Sequence, residues 1–320
     1  MILKQTYISI VIPLLNEDGN IRVLYEALLP VVEKISSDYE IIFVDDGSKD
    51  NSFDIINELC QQNNRVLGIS LSRNFGHQIA LTAGMEHASG EVVVTLDADM
   101  QHPPEIILDL YKKYNEGYDI VNTIRTETAD SGIFKKITSH YFYKIINKLS
   151  DIHIEPSAAD FRLMNRKTVN AFLQMKEKDR FTRGIISWMG FKQAMIEYTA
   201  PNRFAGKSKY SVFKMFRFAA DGITSFSAKP LRISFFAGLI VSFIGLLYAI
   251  YAVVQYFEGR TTPGWASTLV SILIIGGIQL ISIGIIGEYL ARVFNEAKNR
   301  PMYLVKQYTS GKPDDASISK

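Results

Sequence analysis

Short apolar runs alternate with amphipathic stretches along the first 123 residues of the chain. The runs lie at residues 8–14, 40–44, 66–71, 92–96 and 119–123. Segments such as IIFV and VVVTL show no polar alternation, which indicates strands buried on both faces. Between the runs, apolar residues recur at helical spacing, first at Ile21, Leu24, Leu28, Val31, Val32 and Ile35. This order predicts an α/β domain whose mostly parallel sheet carries helices on both faces.

Two long apolar spans late in the chain, residues 233–257 and 266–289, predict transmembrane helices. Each contains about 24 residues, enough to cross a hydrocarbon layer of about 30 Å. The connecting segment is too short for a domain, so the spans form a hairpin with both flanks on one side. The flanks carry more basic residues than the connection, which holds only Arg260: Lys229, Arg232, Arg292, Lys298 and Arg300. This bias predicts a multi-pass protein of the cell (inner or plasma) membrane whose flanks and N-terminal domain are cytoplasmic.

These patterns divide the chain into four parts. Residues 1–209 form the cytoplasmic α/β domain, 210–230 a juxtamembrane amphipathic helix, 231–292 the hairpin and 293–320 a cytoplasmic tail. The net charge is only +2, and the basic residues form no continuous run. Nucleic acid is therefore not an expected partner.

Acidic residues follow the predicted strands at the edge where α/β sheets bind ligands. Asp97 and Asp99 come directly after the fourth strand, Asp46 after the second and Glu17 after the first. Two carboxylates separated by one residue can hold a hard divalent cation and leave positions for phosphate oxygens. No GxGxxG loop follows the first strand, so a metal would neutralise a diphosphate, and a dinucleotide oxidoreductase is disfavoured. The alternative is that the aspartates simply end their strands.

In order and spacing, the segments PLLNE, VDDGSKD, RNFGHQ, DADMQHPPE and RFAGKSKYS resemble family 2 of the nucleotide-sugar glycosyltransferases, which has the GT-A fold. Over nearly its whole length the chain is similar to the polyprenyl-phosphate group, which includes bactoprenol glucosyltransferases and dolichyl-phosphate mannose synthases. The resemblance implies inverting transfer of one hexose, glucose or N-acetylglucosamine, from a UDP-sugar to undecaprenyl phosphate on the cytoplasmic membrane face. The lipid-linked sugar would serve cell-envelope glycan modification.

The resemblance also implies roles for individual residues. The nucleotide-sugar site would comprise Pro13, Leu15, Glu17, Val44, Asp46, Asn74, His77 and Ala98. Mg²⁺ or Mn²⁺ would be bound by Asp97, Asp99 and Gln101. The acceptor phosphate would be contacted by Arg125, Lys135, Ser139, Arg203 and Lys209. For Arg125 and Lys135, a solvated charge cluster that faces lipid headgroups is an equal alternative.

Asp160 and Asp99 are the candidate catalytic residues. Asp160 precedes the predicted strand FRLM and aligns with the position proposed as catalytic base in the resembling family. A phosphate monoester is mostly dianionic at neutral pH, because its second pKa is near 6, so the nucleophile has no proton to remove. We therefore expect Asp160 to orient the donor sugar or a phosphate-binding arginine; the alternative is a purely structural role before the strand. His102 is expected to cap the helix that starts at Pro103, and Trp188 to pack in the core or the acceptor site.

Two other functions fit part of the sequence. A processive polysaccharide synthase would need a QxxRW box, but the segment RGIISW at Arg183 has no suitable glutamine, and two spans do not line a pore. An inactive membrane scaffold would not need the acids, all of which are retained. The implied partners are a nucleotide-sugar donor, a polyprenyl phosphate lipid, the membrane, a second copy of the chain, a flippase and a downstream glycosyltransferase.

Overall fold

The computed structural model describes residues 7–126, 158–199, 227–259 and 264–311. The chain divides into two units, which are described in turn. The first comprises Met1–Tyr143, Ile152–Val212 and Arg300–Lys320, and the second comprises Lys144–Asp151 and Phe213–Asn299.

One eight-stranded sheet forms the centre of the first unit. Its strands are β1 (Ile8–Leu14), β2 (Tyr39–Asp45), β3 (Val66–Leu71), β4 (Val92–Thr95), β5 (Ile120–Thr126), β6 (Ala158–Asn165), β7 (Gln193–Thr199) and β8 (Val305–Ser310). They lie in the order β7-β5-β6-β4-β1-β2-β3-β8. Only β6 and β8 run antiparallel to their neighbours. The predicted mostly parallel α/β class is confirmed, and so are the five strands predicted before residue 124.

Helices cover both faces of this sheet. They are α1 (Ile21–Ile35), α2 (Ser52–Gln62), α3 (His77–His87), α4 (Ile106–Asn115), α5 (Arg166–Gln174) and α6 (Thr182–Trp188). Ile8, Ile10 and Ile12 pack with apolar residues of α1, α2 and α4 in one buried core. Side chains alternate along a strand, so Val11 faces the opposite side, where α3 packs. A Cβ atom at Gly84 of α3 would lie 2.3 Å from Val11 Cγ1, so glycine permits this close approach.

The second unit consists of two long apolar helices in its described part, α7 (Lys229–Phe257) and α8 (Trp265–Ala297). The segments Lys229–Gln255 and Val270–Ala297 are long and apolar enough to cross a membrane, each with a mean hydropathy of 2.3. The helices contact each other, and Ser234 Oγ donates a 2.7 Å hydrogen bond to Ser282 Oγ. The predicted juxtamembrane helix at 210–230 lies outside the described residues, apart from its end at 227–230.

The segment that follows α8 returns to the first unit as an edge strand. β8 pairs antiparallel with β3, with Tyr308 opposite Ile69 and Thr309 opposite Gly68. Tyr303 Oη donates a 2.7 Å hydrogen bond to Glu86 Oε2 at the end of α3. The range 293–320, predicted as a tail, therefore contains a strand of the N-terminal sheet. The sequence did not indicate this strand, because its partner lies more than 200 residues earlier in the chain.

Candidate active site

The loops after β1 and β2 are joined by hydrogen bonds at the carboxyl edge of the sheet. Asn16 has a positive φ of 56°, its N–H donates to Ser48 Oγ at 2.8 Å, and its Oδ1 accepts from the Lys49 N–H at 2.8 Å. The Glu17 N–H donates to Ser52 Oγ at 3.0 Å. Among the predicted nucleoside contacts in these loops, the Leu15 side chain is exposed and Glu17 is half-buried, whereas Pro13 and Val44 are buried within the strands.

Asp45 and Asp46 have separate structural tasks. Asp45 accepts hydrogen bonds from the Ser48 N–H at 2.9 Å and from Ser70 Oγ at 3.0 Å, which closes its own turn. Asp46 accepts from the N–H groups of Phe75 at 2.7 Å and Gly76 at 2.9 Å. Burial raises the pKa of Asp46, and the two N–H groups oppose this rise. Asp46 thus fixes the loop that leads from β3 into α3.

That loop carries two of the predicted donor contacts. Asn74 is exposed within it, and His77 begins α3. His77 Nε2 lies 3.4 Å from Asp97 Oδ1 and 3.7 Å from Asp160 Oδ2. The structure therefore brings together three predicted site residues from different parts of the sequence around one imidazole ring.

The loop after β4 contains the predicted metal ligands. Ala98 is buried, and Met100 has a positive φ of 60°. Asp99 Oδ1 accepts a hydrogen bond from the Gln101 N–H at 3.2 Å. Gln101 Oε1 accepts one from Arg125 Nη1 at 2.8 Å. A residue predicted for the metal and a residue predicted for the acceptor phosphate thus contact each other directly.

Asp97 Oδ1 provides a test of whether this loop suits a metal ion. The atom is buried and accepts no hydrogen bond within the described residues, although His77 Nε2 lies 3.4 Å away. A buried carboxylate oxygen that accepts no hydrogen bond is costly, and a hard divalent cation would satisfy it. No group of three His, Cys, Asp or Glu side chains within the described ranges could hold a metal. Asp97 and Asp99 fit a Mg²⁺ or Mn²⁺ ion that also takes water and substrate oxygens, since such ions use few protein ligands.

His102 lies behind this loop and does not cap a helix. Its Nε2 is 3.1 Å from Asp97 Oδ2, and its Nδ1 is 2.7 Å from the Tyr198 hydroxyl. α4 begins at Ile106, and no side chain accepts a hydrogen bond at its N-cap. The expectation that His102 caps the helix after Pro103 is therefore wrong. The ring is instead buried between Phe161 and Tyr198, with centroids 5.1 Å and 5.7 Å away.

The pKa values in this corner reflect burial and the neighbouring histidine rings. Burial alone would raise the pKa of Asp97, but the hydrogen bond from His102 and the proximity of His77 lower it overall. Burial raises the pKa of Tyr198 to about 12. Asp97 is therefore a carboxylate and Tyr198 a neutral phenol at neutral pH.

Asp160 is held by two arginines that were not predicted as site residues. Arg162 Nη2 lies 2.7 Å from Asp160 Oδ1, and Arg183 Nε of α6 lies 3.3 Å from the same oxygen. Burial opposes ionisation of Asp160, but Arg183 and Arg162 hold its pKa well below the usual range. Arg162 is itself 2% exposed. The sequence could have indicated only Arg162 as a partner of Asp160, because the two residues are two positions apart. The contact of Arg183 depends on the fold.

Other predicted residues fall outside this cluster. Trp188 at the end of α6 is 63% exposed, so it is not a core residue. The predicted acceptor residues Lys135, Ser139, Arg203 and Lys209 lie outside the described residues. Arg125 is exposed on β5, next to Tyr198 of β7 in the parallel register.

Two family models match the chain. The model described as "Glycosyl transferase family 2" matches residues 9–173, and the model described as "GtrB C-terminal hairpin" matches residues 229–293. The first covers β1 through α5 and therefore contains the described acidic loops. The second coincides with α7 and most of α8.

Curated relatives resemble the chain over nearly its full length. An uncharacterized glycosyltransferase, YkcC, of Bacillus subtilis is 44% identical over 93% of this chain and 93% of its own length. The bactoprenol glucosyl transferase of Shigella phage SfII is 41% identical over 96% of this chain and 99% of its own length. Among solved structures, mannosyl-3-phosphoglycerate synthase from Rubrobacter xylanophilus is 14% identical, with a TM-score of 0.46 over 81% of this chain and 76% of that one.

Proposed function

The chain belongs to glycosyltransferase family 2, and we propose that it transfers one hexose from a UDP-sugar to polyprenyl phosphate. One observation carries this proposal: relatives named bactoprenol glucosyl transferase match both the catalytic unit and the hairpin, at 41% identity over 96% of the chain. Their name favours glucose as the sugar and undecaprenyl phosphate as the acceptor. N-acetylglucosamine is the second sugar to test.

The donor is proposed to bind at the carboxyl edge of β1, β2 and β4. Its nucleoside would lie against the loops that hold Leu15, Glu17 and Asp46, and its diphosphate near Asp97 and Asp99. A Mg²⁺ or Mn²⁺ ion bound by these two aspartates would stabilise the negative charge that develops on the leaving diphosphate. The buried Oδ1 of Asp97, which accepts no hydrogen bond within the described residues, supports this assignment. We assign Gln101 to the support of Arg125, whose Nη1 lies 2.8 Å away.

Asp160 is proposed to orient rather than to remove a proton. Its two arginine partners keep it ionised, and the acceptor phosphate is mostly dianionic at neutral pH. The phosphate oxygen would attack the anomeric carbon on the face opposite the leaving UDP, which inverts the configuration. Asp160 would hold Arg183, and this arginine would in turn be directed toward a phosphate or the sugar. Arg125, Lys135, Ser139, Arg203 and Lys209 remain the proposed acceptor contacts.

The protein is membrane-associated, and we propose that its hairpin crosses the membrane twice with both ends in the cytoplasm. β8 supports this arrangement, because a strand that follows the hairpin pairs with β3 of the catalytic sheet. Two segments of one sheet lie on the same side of a membrane, so the intervening chain must cross an even number of times. A homo-oligomer, a flippase and a downstream glycosyltransferase stay predictions.

Product analysis tests the proposal directly. The full-length protein in detergent is incubated with undecaprenyl phosphate, MgCl₂ or MnCl₂, and either UDP-glucose or UDP-N-acetylglucosamine. Mass spectrometry of the extracted lipid should show the addition of one hexose from UDP-glucose. Addition of several sugars would support a processive synthase instead, and an unmodified lipid with every donor would support an inactive scaffold.

A further inference from the structure

Tyr198, His102 and Asp97 form a continuous hydrogen-bonded chain behind the acidic loop. The Tyr198 hydroxyl lies 2.7 Å from His102 Nδ1, and His102 Nε2 lies 3.1 Å from Asp97 Oδ2. The three residues come from β7, the loop before α4 and the end of β4. His102 is 6% exposed and Tyr198 is 4% exposed, so solvent does not supply alternative partners.

The hydrogen-bonding capacity of the three groups fixes the direction of the contact with Asp97. An ionised carboxylate only accepts hydrogen bonds, so the His102 nitrogen that faces Asp97 must donate. A hydroxyl both donates and accepts, so the Tyr198 hydroxyl can engage Nδ1 whichever role that nitrogen takes. This arrangement engages both polar ends of the ring and occupies the Oδ2 atom of Asp97. The other carboxylate oxygen, Oδ1, accepts no hydrogen bond within the described residues and lies 3.4 Å from His77 Nε2.

We infer that His102 and Tyr198 are positioning residues for the metal site, Tyr198 by fixing the His102 ring and His102 by turning Asp97 Oδ1 toward the cation. The inference rests on the proposed function, because it takes Asp97 as a metal ligand. Residues that hydrogen-bond to metal ligands fix the orientation of those ligands, and their loss typically weakens metal binding. Neither family match nor sequence pattern assigns this role to Tyr198, which lies beyond residue 173.

Metal affinity provides a measurement that does not depend on turnover. Binding of Mn²⁺ to the full-length protein with saturating UDP is followed by electron paramagnetic resonance of the free ion. His102→Asn removes the group that reaches Asp97, and we expect its Kd for Mn²⁺ to rise about 10- to 100-fold. His102→Gln places an amide N–H near the position of Nε2, so it should recover much of the affinity. Tyr198→Phe should weaken binding less, because the ring still packs on His102.

The chain offers a matched control for the loss of a tyrosine hydroxyl. His87 Nε2 lies 3.0 Å from the Tyr308 hydroxyl, and its Nδ1 lies 2.8 Å from the Ala83 carbonyl oxygen, with no carboxylate in the chain of contacts. Tyr308→Phe therefore removes the same type of contact away from the acidic loop. Its Mn²⁺ affinity should equal that of the wild type.

The outcomes separate this inference from the proposed function. Wild-type affinity for Mn²⁺ in both His102→Asn and Tyr198→Phe would overturn the inference and leave the metal site intact. Failure of the wild-type protein to bind Mn²⁺ with UDP would overturn the metal assignment, and the inference with it. If His102→Asn does not fold, as judged by its thermal unfolding, the Kd of Tyr198→Phe for Mn²⁺ alone tests the inference.

Discussion

Asp46 Oδ2 accepts a 2.9 Å hydrogen bond from the backbone N–H of Gly76, the residue that precedes α3. This contact joins the loop after β2 to the loop after β3. The next residue, Gly47, lies against the same loop, with a positive φ of 74°. A Cβ atom there would lie 2.6 Å from the carbonyl carbon of Arg73 and 2.8 Å from the backbone nitrogen of Asn74. Asp46 and Gly47 together therefore set the position of His77.

Gly47→Ala should destabilise the protein and raise the KM for the donor. The variant combines a left-handed backbone, which costs a non-glycine residue about 1–2 kcal/mol, with a collision that moves the loop carrying His77. Gly117→Ala is the matched control, since Gly117 has a φ of 88° and no atom within 4 Å of an added Cβ. Urea unfolding should show a larger loss for Gly47→Ala, and only this variant should change the KM. Equal effects would mean that the loop contact has no role in donor binding.

Turnover should depend on a divalent cation that Asp99 helps to bind. Asp99→Asn removes one of two carboxylates proposed to hold the cation, and we expect kcat to fall by about 10²- to 10³-fold, as when other groups that stabilise developing charge are removed. EDTA should abolish wild-type turnover, and Mg²⁺ or Mn²⁺ should restore it. Asp109→Asn, at an exposed carboxylate of α4, makes the same charge change outside the site and should leave kcat unchanged. Full wild-type activity in excess EDTA would contradict the metal assignment.

The orientation of the hairpin can be measured with single cysteines. Cys60 is the one native cysteine, it is buried, and burial raises the pKa of its thiol to about 11, so it reacts slowly. Because β8 pairs with β3, the catalytic unit and the C-terminus should share one side. An impermeant maleimide should label Thr262→Cys in intact cells and Lys320→Cys only after permeabilisation. Labelling of Lys320→Cys in intact cells would contradict the cytoplasmic orientation.

The sequence predicts the strands and the acidic loops because both depend on local patterns. Continuous apolar runs identify buried strands wherever they occur, and the carboxyl ends of parallel strands meet at one edge. Asp97 could therefore be assigned to the site from the pattern, whereas His77, which lies 3.4 Å from it, was assigned by the family resemblance. The family resemblance gave roles to these acids and added the site residues that are not acidic.

The contacts that the sequence did not predict join segments that are far apart in the chain. His102 follows the acidic loop, yet its role depends on Tyr198, which reaches it only because β7 lies beside β5. Arg183 becomes a partner of Asp160 through the packing of α6. β8 is short and lies at the sheet edge, and the hairpin separates it from the rest of the catalytic unit. None of these contacts leaves a periodic signal, because each joins two distant segments.

The role of Asp160 can be tested by the kcat of a variant together with the acid limb of its pH profile. Arg183 and Arg162 lower the pKa of Asp160, so the carboxylate is ionised throughout the range in which activity can be measured. The stabilisation that Asp160 gains from folding is thus present above its unfolded pKa of about 3.9 and is lost only as the pH falls through the lowered folded value. An acid limb near pH 6 would then belong to the second ionisation of the acceptor phosphate.

Asp160→Asn alone is an ambiguous variant. It leaves Arg162, which is 2% exposed, without its carboxylate, and removal of one partner from a buried ion pair typically costs about 3–5 kcal/mol. A loss of activity could then reflect unfolding. Arg183→Gln is the better test, because the Arg183 side chain is 26% exposed and the buried pair of Asp160 with Arg162 remains.

Arg183→Gln gives opposite results for the two roles. If Asp160 orients Arg183, the variant should lose kcat by about the 10²-fold seen for single charge-stabilising groups, and its acid limb should stay near pH 6. If Asp160 is the base, its carboxylate is still present and still paired with Arg162 in this variant, so kcat should stay near the wild-type value. The measurement is kcat from pH 5 to 9 with saturating donor and lipid, beside the exposed-site control Asp109→Asn. We expect a loss of kcat with an unmoved limb, and a variant that keeps the wild-type kcat would restore Asp160 as the candidate catalytic base.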